Sequence, residues 1–392
     1  MTDDAYPDPP TDVPALDPET LQTRLDAGEP VRLLDVRDRD EIEQWRIDGD
    51  GVTSTHIPYA KFMGAKVRDS VDELAADIAG EGPITVVCGR GEASDFVAGL
   101  LTEAGVDARN LAGGMDAWGR LYQASELDCD GPTVVQYRRP SSGCLGYMVV
   151  SGGEAVVVDP LAAFTDRYVS DAADRGVDLV AVVDTHIHAD HVSGLRELAE
   201  KTGAPAFLPE RAVERGVAFE VETVADGDEI AVGDAAITVR ELPGHTTGMA
   251  GFLVGDVLLS GDSLFLDSVA RPDLEDGADI EQLARALYAS LTDRLADLPD
   301  ETRLAPGHYD AGDERAADDT FTAPLGDVRE RVGVFDMDEG SFVDRVTGEL
   351  PPQPANAAQI VAINLGTDSI EEDTLELELG PNNCAAGPVD AD

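Results

Sequence analysis

Five of the six histidines share one pattern: His186, His188 and His191 in THIHADHVSG, His245 in LPGHTTG and His308 in APGHYD. Imidazole is the commonest biological metal ligand, and this spacing gathers three rings around Asp190, with a further carboxylate from Asp262 in LLSGDSLF. Nitrogen and oxygen donors in that number point to a metal centre. Unrelated surface or core histidines would give no reason for the joint pattern; His56 in THIPY, which lacks such neighbours, is read as structural. A second candidate is Cys88, which closes the apolar run ITVV and opens the loop Gly89, Arg90, Gly91, Glu92, Ala93 and Ser94 ahead of a helix. Backbone amides and a helix amino terminus around a sulfur stabilise a thiolate or persulfide anion. Spacing alone equally allows a buried cysteine that serves as a small apolar residue. Cys129, Cys144 and Cys384 lack comparable surroundings: Cys144 in SSGCLGY is read as packed and Cys384 as part of a tail. Asp159 in VVVDP is read as capping a turn rather than binding metal.

The elements that must position these groups fall into two patterns. Up to about residue 125, strand-like VRLLDV and ITVVC alternate with helical EIEQWRI, the stretch 69–78 and the stretch 95–104, which implies a parallel sheet covered on both faces. From Pro132 onward VVQYRR, LGYMVVSG and EAVVVDP follow one another as strands. A helix near 165–173, the strand LVAVVDTH, two further strand regions and an amphipathic helix over 280–295 favour a layered α/β sandwich. The ligands sit at strand ends, where loops on a rigid sheet present polar side chains. His186 and His188, two apart on an extended backbone, point to the same side. Beyond residue 318 the chain is acidic and punctuated by proline, with PPQPANAAQIVAINLG its well-patterned stretch.

Composition bounds the partners. The 392 residues carry 79 acids against 28 bases, a net charge of -51, which excludes a nucleic-acid partner because phosphate binding needs clustered cations. Apolar residues make up 43% of the chain, enough for two domains. The acids are interspersed with periodic apolar segments, as on solvated faces of folded domains, and the composition resembles that of proteins from extreme halophiles. Scattered cysteines suggest a reducing compartment, the acidic start MTDDAYPDPP lacks the character of a signal peptide, and no run is apolar enough to span a bilayer. The expectation is a cytoplasmic chain with no membrane partner; a homo-oligomer is one candidate state.

Two resemblances follow from these motifs. LLDVRDRDEIEQWRIDGDG, HIPYA, VVCGRGEAS and NLAGGMDAW resemble the rhodanese domain over residues 15–122, and Cys88 matches that family's sulfur-carrying cysteine. This loop has Arg90 but fewer arginines than is usual, and Glu92 beside the sulfur would oppose a doubly charged donor such as thiosulfate unless it points outward. HADHVSG, LPGHTTG and GDSLFLDSVARPDL resemble the metallo-β-lactamase superfamily over residues 132–310, and within it the persulfide dioxygenases, whose tail PANAAQIVAINLG is also similar to. The fold implied is α/β throughout: a rhodanese-like α/β domain with a parallel sheet at 11–125, an αββα sandwich at 126–317, and a C-terminal extension at 318–392 packed on the metal domain or partly flexible.

The resemblance to persulfide dioxygenases implies one Fe(II) per chain on His186, His245 and Asp262, with His188, Asp190, His191 and His308 orienting ligands or holding a second metal. A low-molecular-weight thiol persulfide and O2 would then be substrates, sulfite a product, and Cys88 would carry sulfur in a coupled transfer, giving thiosulfate where it meets sulfite. All seven ligands equally suit two zinc ions, as in glyoxalase II and other hydrolases of thioesters, with the rhodanese domain serving as a docking or regulatory unit.

Overall fold

The computed structural model describes residues 6–49, 51–310, 312–369, 377, 378, 380 and 383–386. The chain divides into two compact units after Leu121. Among the described residues, the first holds a five-stranded sheet in which every neighbouring pair is parallel, ordered Ala15–Leu16, Ala108–Leu111, Ile84–Val87, Val31–Asp35, Val52–His56. Ile84, Val86 and Leu34 pack with the helix Glu92–Glu103 through Phe96, Val97, Leu100 and Leu101, while Val87 and Leu33 join Met115 and Trp118 in a second cluster. Alternate residues of one strand thus serve two cores, as a sheet covered on both faces requires. Val52–His56, which the sequence reading did not single out as a strand, is an edge strand whose polar residues face water. The helix expected at 69–78 is Val71–Ile78, and a further helix, Tyr59–Arg68, precedes it and ends at Asp69 in a left-handed conformation.

The second unit is a sandwich of two mixed sheets. One runs Glu222–Val224, Ala206–Pro209, Asp178–Val183, Glu154–Val158, Cys144–Ser151, Thr133–Arg139, Gln123–Glu126, parallel across its first four strands and antiparallel thereafter. The other runs Glu229–Val232, Ala235–Glu241, Ala250–Val254, Val257–Gly261, Arg303–Pro306, Ala323–Pro324. Val134, Leu145, Tyr147, Val149, Val156 and Val158 of the first sheet pack against Ile237, Val239, Phe252 and Leu259 of the second. Their neighbours Val135, Met148, Ala155 and Val157 turn to the other face, toward Tyr168 and Leu198 of the helices Thr165–Arg175 and Leu195–Thr202. The helix expected over 280–295 is helical over Ile280–Ala289 and widens into a π turn at Ser290–Arg294.

The segment beyond residue 318 carries more structure than its acidity suggested. Leu325–Val332 and Glu339–Val346 are helices whose Leu325, Val328, Val332, Phe342 and Val346 enter the core of the sandwich, and Ala357–Asn364 lays Ile360 and Ile363 against Val192. Among the described residues no helix is long and apolar enough to cross a membrane.

Candidate metal centre and sulfur loop

Every ligand candidate follows a strand, and a glycine stands immediately before three of them for steric reasons. A Cβ on Gly307, before His308, would lie 2.4 Å from Asp262 Oδ1; one on Gly261, before Asp262, would lie 2.3 Å from Met249 Cε at a φ of +50°. Only glycine lets these backbones close on one point. The motif THIHADH leaves the strand Asp178–Val183 and is clamped from the far C-terminal part of the chain. Asn364 donates through Nδ2 to the carbonyls of His188 and His191 at 3.0 and 2.9 Å, and its Oδ1 accepts from Ser193 N at 2.9 Å.

His186, His245 and Asp262 are 0 to 1% exposed and can each place a ligand atom within 4.8 Å of the others. Their hydrogen bonds select the atoms. The Nδ1–H of His186 donates to Thr185 Oγ1 at 2.9 Å, and that hydroxyl in turn donates to Asp159 at 2.9 Å. The Nδ1–H of His245 donates to the Arg271 carbonyl at 2.9 Å. Both Nε2 lone pairs are left facing Asp262 Oδ2, at 3.9 and 3.7 Å, and these three buried atoms have no hydrogen-bond partner among the described residues. Burial depresses the pKa of both rings below the ordinary histidine value, with His188 adding to the effect at His186, so both stay neutral. Neutral imidazoles fixed by an outer partner, with a carboxylate opposite, are what a metal ligand set requires.

The remaining four candidates behave differently. His308 donates from Nδ1 to Asp262 Oδ1 and from Nε2 to Asp190 Oδ2, both at 2.8 Å, so its ring carries two protons. Burial alone would lower its pKa, but Asp262 and Asp190 outweigh burial and raise it well above the usual range. His191 is raised in the same way by Asp190, to which it donates at 3.2 Å; Cys144 Sγ meets the same oxygen at 3.2 Å. Asp190 and Asp262 are held below the usual carboxylate range because the imidazoles, His191 and His308 at Asp190 and chiefly His308 at Asp262, overcome burial. His188 turns Nε2 to Asp159 at 3.2 Å, while its Nδ1 is buried with no partner among the described residues. Asp184, bonded by Ser193 at 2.6 Å, is pushed up to about 7 by burial.

Two readings from sequence need correction. Asp159 does sit in a turn, at a φ of +50°, but its carboxylate orients Thr185 and His188 rather than capping backbone alone. Cys384 is not in a detached tail: it is 1% exposed and offers its sulfur within 4.8 Å of ligand atoms of Asp190, Asp262 and His308. Cys144 is packed as expected, and its sulfur also meets Asp190. Asn364 lies in the stretch PANAAQIVAINLG that sequence singled out, though nothing in the pattern assigned it a role. His56, bonded to the Arg37 carbonyl at 3.0 Å, belongs to the first unit's framework.

In the first unit, Cys88 is 5% exposed at the end of Ile84–Val87. Its sulfur accepts from Gly91 N at 3.1 Å and Ser94 N at 3.3 Å, with the Ser94 hydroxyl at 3.1 Å, itself 2.7 Å from Asn110 Oδ1. The helix Glu92–Glu103 begins at this loop. NLAGG closes the back: Met115 N donates to the Cys88 carbonyl at 2.9 Å, and a Cβ on Gly114 would lie 2.3 Å from that oxygen. Glu92 and Arg90 are exposed while Ala93 is buried, so neither charge is buried beside the sulfur.

The description Rhodanese-like domain matches residues 17–121, and Metallo-beta-lactamase superfamily matches residues 141–308. Over 158 residues the chain is 35% identical to the hydroxyacylglutathione hydrolase of Methylobacillus flagellatus, covering 40% of this chain and 58% of that one. Over 157 residues it is 30% identical to the mitochondrial persulfide dioxygenase ETHE1 of Homo sapiens, covering 40% and 59%. The chain therefore spans less than two thirds of these curated relatives. The crystal structure of ETHE1 from Myxococcus xanthus superposes with a TM-score of 0.53 at 28% identity, covering 59% of this chain and 97% of that one.

Proposed function

From a chain that joins a rhodanese-like domain to a domain of the metallo-beta-lactamase superfamily, we propose an iron-dependent oxidation of a thiol persulfide coupled to sulfur transfer through Cys88. The observation that carries the reading is the asymmetry of the centre. Two neutral imidazoles and one carboxylate aim three unpartnered atoms at a single point, whereas His308 spends both ring nitrogens on carboxylates. Two histidines and a carboxylate on one face leave coordination positions open, the arrangement of non-haem iron oxygenases. Ferrous iron held there would supply the one-electron chemistry that dioxygen requires. The likeness to persulfide dioxygenase ETHE1 supports the same substrate class.

The chain's own residues do the rest. Thr185 and the Arg271 carbonyl keep His186 and His245 in the ligating tautomer, and His308 keeps Asp262 anionic with Oδ2 left to hold a metal when one is bound. The overall change is persulfide, O2 and water to thiol, sulfite and two protons. In the other unit, Cys88 thiolate attacks the outer sulfur of a donor, the leaving group departs with the electron pair, and the Gly91 and Ser94 amides hold the resulting persulfide. Sulfite taking that sulfur would return Cys88 as a thiol and give thiosulfate. With no arginine buried at the loop, a monoanionic donor fits better than thiosulfate. A cytoplasmic, salt-adapted protein is consistent with the charge of -51.

A dinuclear zinc hydrolase of thioesters is the second reading, favoured by the complete seven-residue ligand set and the 35% identity to a hydroxyacylglutathione hydrolase. The two part in one assay. With a low-molecular-weight persulfide the iron reading gives one sulfite per O2 consumed and no hydrolysis of a glutathione thioester; thioester cleavage without oxygen uptake would overturn it.

A further inference from the structure

Ser94 holds one hydroxyl proton within reach of three acceptors. Its Oγ lies 2.7 Å from Asn110 Oδ1, 3.1 Å from Cys88 Sγ and 3.1 Å from the Gly91 carbonyl. The first of these is the ordinary O–H···O length, so while the sulfur is a neutral thiol the proton lies on the line to Asn110. Ser94 is 0% exposed, and bulk water competes for none of these bonds. Asn110 stands on the strand Ala108–Leu111, aligned with Val86 on one side and Ala15 on the other, and its N–H donates to the Pro14 carbonyl at 3.0 Å. Its backbone is therefore fixed. The Gly91 and Ser94 amides, at 3.1 and 3.3 Å from the sulfur, are equally fixed by the loop and by the first turn of Glu92–Glu103. The Ser94 hydroxyl, in contrast, can rotate, and a charge on the sulfur would turn it, because a hydrogen bond to a charged acceptor outweighs one to a neutral acceptor.

We propose that Ser94 is a catalytic residue of sulfur transfer and that Asn110 is the positioning residue governing it. While Cys88 is a thiol, Asn110 holds the hydroxyl. When the sulfur becomes a thiolate, the hydroxyl turns and adds a third donor to the two amides. In transfer, the thiolate's electron pair forms a bond to the outer sulfur of the donor persulfide, whose own S–S bond breaks. The departing thiolate leaves with that pair and takes up the outer sulfur's proton, so the charge comes to rest on the outer sulfur of the Cys88 persulfide. The inner sulfur is then neutral and the hydroxyl returns to Asn110. Ser94 and Asn110 thus act in opposite senses: one stabilises the thiolate, the other restrains it. The inference rests on the proposed sulfur transfer for the reaction, and on the geometry of the loop for the switch.

The test uses the full chain and reads Cys88 through the ultraviolet thiolate absorbance that Cys88→Ser removes, at the pH where half of the wild-type Cys88 is thiolate. Ser94→Ala should lower the ratio of thiolate to thiol by about tenfold, the worth of a hydrogen bond to a charged sulfur. Asn110→Ala should raise that ratio by about fivefold, since ionisation no longer breaks a neutral bond. In the Ser94→Ala background, Asn110→Ala should change nothing, because its effect passes through the hydroxyl. Asn110→Leu, which keeps the size of the side chain, gives the same reading should the alanine variant unfold. No change in either single variant, changes of the same sign, or an Asn110 effect that persists without the hydroxyl would overturn the switch. Passage of sulfur from a low-molecular-weight persulfide to cyanide tests the reaction separately: a wild-type chain that transfers none, with the opposed thiolate changes intact, would sink the transfer reading and leave the switch standing.

Discussion

The two halves of the metal centre share donors, burial and a carboxylate wall, yet they solve opposite problems. Around His186, His245 and Asp262 the outer partners take up the protons and leave lone pairs pointing inward; around His191, His308 and Asp190 the same residue types consume one another's hydrogen-bonding capacity. Ligand identity in a sequence therefore does not determine ligand state. What decides it is the partner of each ring's second nitrogen: a hydroxyl and a carbonyl on one side, carboxylates on the other.

The comparison breaks most easily at its open half. Asp262→Asn should lose the metal and more than about 100-fold of oxygen uptake, beyond the range for outer partners, as read by elemental analysis and an oxygen electrode. Equal losses on His308→Ala would erase the distinction between the halves. His308→Gln sharpens it: the triad should keep its metal with affinity about 10–100-fold weaker, because Asp262 loses the partner that holds it anionic. Asn364→Ala, which frees the loop carrying His188 and His191, should cost about tenfold in metal affinity, measured by competition with a chelator.

Titration offers a finer test. His186 and His245 have pKa values held below the ordinary figure of about 6.5, so no proton competes for their lone pairs as pH falls toward that value. Metal affinity should stay nearly flat from pH 8 to about 6.5 and drop only below it; a decline beginning above pH 7 would mean that the rings titrate normally. The smallest effect concerns the surface. In molar KCl the Debye length is about 3 Å, so repulsion among 79 acids is screened, and the unfolding midpoint should fall by some degrees on transfer to dilute buffer. The two halves of the centre, buried and paired, should hold their relative affinities across that change.

Much of this was readable in advance because it is local. The seven candidate ligands lie in short motifs at strand ends, and the loop from Cys88 to Ser94 announces its geometry through glycine and the helix that follows. What escaped is non-local or masked. Cys384, Cys144 and Asn364 reach the centre from 122, 46 and 173 to 176 residues away along the chain, and no periodicity records such a meeting. The helices Leu325–Val332 and Glu339–Val346 were hidden because acids dilute their apolar faces, although Leu325, Val328 and Phe342 are fully buried. Val52–His56 pairs along one side only, so it carries little apolar signal.

The central claim is that one redox-active ion occupies His186, His245 and Asp262. Counting iron and zinc per chain in the purified protein, alongside oxygen uptake with a low-molecular-weight persulfide, tests it most directly. The account predicts close to one iron per chain, lost together with oxygen uptake in Asp262→Asn. Two zinc ions per chain and no oxygen consumption would contradict it.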